Sequence, residues 1–221
     1  MRDCGFRLSA VLMLSLPGLA FAQGWIEYAN VEEGFFVNFP GEPTVEETTW
    51  RTEYGADMPT RVYSVENSRG SYSVTVVDFR DAQRIHSERV NASDCPPGAE
   101  TCIGGTGGTG LGYWRVEMQG SMIYGAWQMF QRDAEVTHLL WNFVDLVEGL
   151  QVQLINPDQS RTFASLYLHR DRLYILEATA SQGRPGIVLF QQSLRFLDED
   201  GGHIRYERFY HNSAPPPPRL Q

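Results

Sequence analysis

Few residues in this chain could do chemistry. Its three cysteines stand at 4, 95 and 102 and its five histidines at 86, 138, 169, 203 and 211. Cys95 and Cys102 are separated by six residues in the run Asp-Cys-Pro-Pro-Gly-Ala-Glu-Thr-Cys. In an exported protein such a pair reads as a disulfide. It would close a loop of about eight residues and contribute ~2.5 kcal/mol in the chain-entropy picture, so it would rigidify a loop rather than hold a fold together. A redox-active pair would have the two-residue gap of a thioredoxin-like site, and a metal pair would have a histidine at ligand spacing; the sequence has neither. Gly105, Gly107 and Gly110 match a dinucleotide-binding spacing. That chemistry needs a preceding strand, a following helix and an acidic partner for the ribose, so the glycine run reads as a connector.

No histidine pair has the i, i+4 spacing with an intervening glutamate of a zinc hydrolase, and no Gly-x-Ser-x-Gly elbow is present. Ser121, after Gly120, carries no mark of activation. A secreted hydrolase with a triad assembled only in space is the alternative function. Asp198, Glu199 and Asp200 offer clustered carboxylates, but a calcium loop spreads its ligands over about twelve residues and ends in a bidentate glutamate, so the cluster reads as a solvated turn. The sequence calls for no cofactor, metal or catalytic residue. For contact with a partner, the segment with Tyr206, Arg208, Phe209 and Tyr210 is the candidate, because tyrosine and arginine are frequent interface anchors.

The elements that must position these residues follow from patterning. Strands are expected over 25–28 and 35–39, then over 60–66 and 72–79 as a hairpin turning at Asn67-Ser68-Arg69-Gly70, with Tyr72, Val74 and Val76 on one face. A polar helix over 80–89 precedes a long loop at 91–112 that holds the cysteines and glycines. Met122, Ile123, Ala126, Trp127 and Phe130 recur at helical spacing within 118–132, their aromatics read as core. Four strands over 136–143, 150–155, 163–169 and 173–179 form an antiparallel meander. A short helix after Pro185 and a strand near 194–197 close the domain.

The N-terminus has a basic start, an apolar run of about a dozen residues and Ala20-Phe21-Ala22, the order of a secretory signal peptide; a spanning helix would need roughly 20 apolar residues. Residues 1–22 are therefore expected to be removed, leaving a domain at 23–202 and a Pro-rich C-terminal tail at 203–221. All 18 basic residues are arginine and the chain contains no lysine. Without Arg2, Arg7 and Asp3, 16 positive side chains stand against 26 negative ones, a net charge of −10. That balance excludes nucleic-acid binding by counterion displacement, and the missing ε-amine excludes Schiff-base and Walker-type chemistry.

The signal segment, Gly34-Phe-Phe-Val-Asn-Phe-Pro-Gly41, Arg172-Leu-Tyr-Ile-Leu-Glu-Ala178 and Leu189-Phe-Gln-Gln-Ser-Leu-Arg-Phe196 together resemble exported bacterial proteins of the PsbP-like and DcrB-like kind. The resemblance implies an α+β fold, an α/β/α sandwich on a mainly antiparallel sheet, and a non-enzymatic role in assembly, envelope maintenance or protein binding. It names no functional residues. The reading is an exported soluble binding or assembly factor, periplasmic or extracellular, with an envelope protein as partner, no nucleic acid and no membrane insertion after signal cleavage.

Overall fold

The computed structural model describes residues 24–92, 113–212 and 216–220. The signal segment, the cysteine pair and the glycine run lie outside the described residues. In chain order the elements are β1 (Ile26–Asn30), β2 (Phe35–Phe39), β3 (Thr44–Arg51), β4 (Asp57–Asn67), β5 (Gly70–Asp78), α1 (Ala82–Asn91), α2 (Tyr113–Phe130), β6 (Glu135–Val144), β7 (Val147–Ile155), β8 (Arg161–His169), β9 (Arg172–Ala180), α3 (Val188–Gln192) and β10 (Arg195–Phe196). Seven strands form one antiparallel sheet in the order β3-β4-β5-β9-β8-β7-β6, and β1, β2 and β10 form a small second sheet. The fold is α+β, with helices on both faces of a mainly antiparallel sheet.

The two central strands dictate the layers. β8 is buried at every residue but its first, and β9 nearly so. A strand apolar on both faces needs a cover on each. On one face Ala164, Leu166, Leu168, Leu173 and Ile175 meet an aliphatic and methionine-rich layer from α1 and α2, including Met122, Ala126 and Met129. Gly125 allows that close approach, since a Cβ there would stand 2.9 Å from Leu166 Cδ2. On the other face Tyr167, Tyr174 and Leu176 meet an aromatic layer built from Phe35, Phe39, Phe190 and Phe196, carried by β2, α3 and β10. Edge-to-face contacts such as Phe35 on Tyr63 at 5.1 Å and Phe196 on Tyr174 at 5.3 Å define it. Three of the buried phenols bond across the layer: Tyr174 donates to Glu33 O at 2.6 Å, Tyr63 accepts from Asn30, and Tyr167 accepts from Asn142 at 2.8 Å.

Three features differ from the sequence expectation. β3 has no counterpart in it, because Glu46, Glu47, Thr48 and Thr49 show no apolar alternation; they form a strand as the outermost member of the sheet, exposed to solvent. α2 starts at Tyr113, before the expected 118. The chain from 203 onward is not a detached tail: Ile204 and Tyr206 are buried in the aromatic layer, and Tyr210 bridges to Val147 in parallel. Tyr210 N–H also bonds to Leu146 O at 2.9 Å. Leu146 and Asp145 both hold positive φ, 65° and 46°, in the two-residue turn between β6 and β7. A branched side chain is costly in that region, so the returning segment over-determines a strained turn.

His169 lies beneath this segment, 1% exposed, with its Nε2 2.7 Å from Tyr206 Oη and its ring 4.1 Å from that of Phe196. Burial, with Arg170 and Arg172 adding repulsion, pushes its pKa down to about 3. The unfolded chain binds a proton near the ordinary value of about 6.5, while the folded one does not. This contribution to stability is complete above pH ~6.5 and declines as the pH falls from there, by about 1.4 kcal/mol per unit, or ~2 kcal/mol by pH 5. Urea unfolding at pH 7 and pH 5 is expected to show that loss in the wild type and a smaller one, by about that amount, in His169→Gln. Gly149 gives a second expectation. A Cβ there would stand 2.3 Å from Tyr167 Cδ1 and 2.5 Å from Leu166 O, because the Tyr167 ring lies across β7 at that residue. Gly149→Ala should cost about 2–3 kcal/mol in the same assay and expose the β6–β7 amides to hydrogen exchange.

Candidate functional site

The residues able to do acid–base chemistry are placed for structure. His86 on α1 and Glu117 on α2 form a hydrogen-bonded pair, 7% and 4% exposed. Burial alone would raise the pKa of Glu117, but hydrogen bonds from His86, Thr52 and the Tyr54 N–H outweigh it and hold the carboxyl below its ordinary value. The pair clips the two helices to the 52–56 turn. Ser121 is 1% exposed, and its hydroxyl has no partner among the described residues. Of the other histidines, His138 stands exposed on β6, His203 lies against the Phe36 ring, and His211 is 2.5 Å from Glu148. Among the described residues no histidine is hydrogen-bonded to a serine.

Asp198 is turned inward. Its Oδ1 accepts the N–H groups of Asp200 and Gly202 at 3.1 and 2.7 Å, closing its own turn. Among the described residues no group of three or more His, Cys, Asp or Glu side chains is arranged to hold a metal ion. A cleft of about 510 Å³ beside this turn is lined by Arg80, Arg170 and Arg172 but equally by Glu32, Asp198 and Glu199. Arg80 is matched by Asp78 and Arg172 by Glu33, so the cleft offers no concentrated charge of either sign.

Of the four expected contact residues, Tyr206 is buried and Tyr210 half-buried, both against the aromatic layer. Arg208 and Phe209 are exposed. Phe209 leans on Phe143 of β6, ring centroids 4.8 Å apart, and so belongs to a larger apolar surface.

That surface is the outer edge of the main sheet. β6 pairs with β7 on one side only. Leu139, Trp141 and Val136 lie opposite Val152, Leu150 and Leu154, residues of the helix-covered core, and so share that face; Leu140 lies opposite Gln151 on the other. α2 packs chiefly on β7, β8 and β9, and among the described residues these β6 side chains stand exposed. Trp141 is 61% exposed, Leu139 and Leu140 about half, and Phe143 nearly so. Val116 and Ile123, on the flank of α2 turned away from its contact with Trp50, are exposed as well. Between Glu135 and Asp145 there is no carboxylate or guanidinium. The opposite edge differs: β3 carries Glu46, Glu47 and Arg51, with Glu47 paired to Arg61. One edge is blunted by charge in the manner of proteins that avoid edge-to-edge association, and the other is left open.

Nothing in the sequence marks β6 as an edge. Leu139-Leu140-Trp141 breaks strict alternation, the pattern of a strand buried on both faces, and the sheet order alone puts it outside. Likewise Trp127, expected in the core, is half exposed and stacked on Tyr124 at 5.4 Å.

No family model matches this chain, and no curated protein matches it. Among solved structures it is similar to the solution structure of cyanobacterial PsbP (CyanoP) from Synechocystis sp. PCC 6803, with a TM-score of 0.43, 12% sequence identity, and coverage of 83% of this chain and 98% of that one. The likeness is one of fold, and none of the residues described above is assigned a role from it.

Proposed function

We propose that this chain is an exported, non-catalytic binding or assembly factor of the cell envelope that engages its partner through the outer edge of β6. The single observation supporting this is the contrast between the two edges of one sheet. β3 interleaves Glu46, Glu47 and Arg51 with threonines, whereas β6 exposes Leu139, Leu140, Trp141 and Phe143 with no charge among them. An uncovered apolar strand edge is a liability in a protein that acts alone, so its retention fits an edge that is covered in use. The export reading comes from residues 1–22. Among the described residues no helix is long and apolar enough to cross a membrane.

A photo-crosslinking residue placed at Trp141, and at Glu46 as control, tests the reading in cells that express the chain. The expected result is one discrete adduct from position 141 and none from 46, on a chain recovered from the envelope fraction with its N-terminus near Gln23. Equal labelling from both positions, or none from 141, would overturn the docking edge. Recovery of the unprocessed chain from the cytoplasm would overturn export.

A further inference from the structure

We infer that the occupant of the β6 edge is an extended segment of another protein, added as an eighth strand, with large apolar side chains in alternation and arginine or lysine at both ends. This deepens the docking reading above and depends on it. As the end strand, β6 turns backbone N–H and C=O groups outward, which an extended segment can satisfy. The bulge between Val136 and His138 interrupts the ladder, so regular pairing is available from His138 to Val144. Along that stretch an added strand meets Leu139 and Trp141 on the helix face and Leu140 on the other, so its own apolar residues are sorted by face.

Charge selects the ends. The open stretch is bracketed by Asp133 and Glu135 on one side and by Asp145 and Glu148 on the other, in a chain of net charge −9. Asp145 and Glu148 are already engaged by Arg195 and His211, but Asp133 and Glu135 have no ion-pair partner among the described residues. Cationic residues flanking the added strand complement this frame, and a cation beside Glu135 gains most. The same frame argues against a second copy of this chain. Antiparallel pairing of two β6 edges over the regular stretch from His138 to Val144 would bring together the acidic ends of two molecules of like net charge.

Binding of fluorescent peptides to the mature, oxidised protein tests this. The probe is a peptide of about nine residues alternating leucine and threonine with two arginines at each end. Its controls carry glutamates in place of the arginines, or a central proline. The arginine-ended peptide should bind; the glutamate-ended one should bind at least ~10-fold more weakly at low salt, with the gap narrowing as salt rises. The proline peptide should lose binding through its missing N–H. Leu139→Lys/Trp141→Lys should abolish binding with little change in melting temperature, since both side chains are exposed, and Glu46→Lys should not. Equal binding of the arginine and glutamate peptides would overturn the charge selection, and undiminished binding of the proline peptide would overturn strand addition. Failure of all three peptides would do the same, while the crosslink at Trp141 reports separately on the docking edge. Sedimentation as a dimer that Trp141→Lys returns to a monomer would assign the edge to a second copy instead.

Discussion

The two-sided burial of β8 and β9 is the constraint from which the other layers follow. A sheet whose middle strands are apolar on both faces cannot be half of a two-layer fold. One cover is aliphatic and helical, laid down by α1 and the longer α2, which Gly125 lets settle onto Leu166. The other is aromatic and assembled from short pieces far apart in sequence: β2 near the start, α3 and β10 near the end, and the segment through Tyr206. Phe196 lies where they converge, its ring against those of Tyr167, Tyr174 and His169. The rings pack edge to face, and the hydroxyls of Tyr63, Tyr167, Tyr174 and Tyr206 find hydrogen-bond partners, which lets these tyrosines be dry.

Local patterning made most of the elements legible and left their neighbours hidden. The hairpin at Asn67–Gly70, the four-strand meander, the helix after Pro185 and the strand ending at Phe196 all carry their signal within a dozen residues. β3 carries none, since its side chains face water on both sides and selection there is for charge rather than for alternation. Tyr206 illustrates the converse. Beside Arg208 and near a proline run it reads as surface, yet its phenol has His169 as a partner across 37 residues, which is knowable only in space. The site was the least legible part. An apolar triplet in a strand means the same thing in sequence whether the strand is central or last, and the difference is made by where α2 ends its cover.

The open edge is anchored at its turn. Asp145 and Leu146 hold a left-handed pair that would relax if alone. The returning segment bonds to Leu146 through Tyr210, while Phe209 supports Phe143 from the side. The apolar strand is thereby tied down at the end where it could otherwise fray.

The small sheet has a kinetic meaning. Phe36 pairs with Arg195 and Phe35 with Phe196, so the second strand to be made waits for nearly the last before its hydrogen bonds on that side can form. The aromatic layer then needs Ile204 and Tyr206 as well. A chain emerging from its N-terminus can close the α2 face of the meander early, but the cover over Phe35, Val37 and Phe39 is not complete until about residue 206 is available. Completion of the fold is thus tied to completion of the chain, and the order of synthesis is not the order of folding.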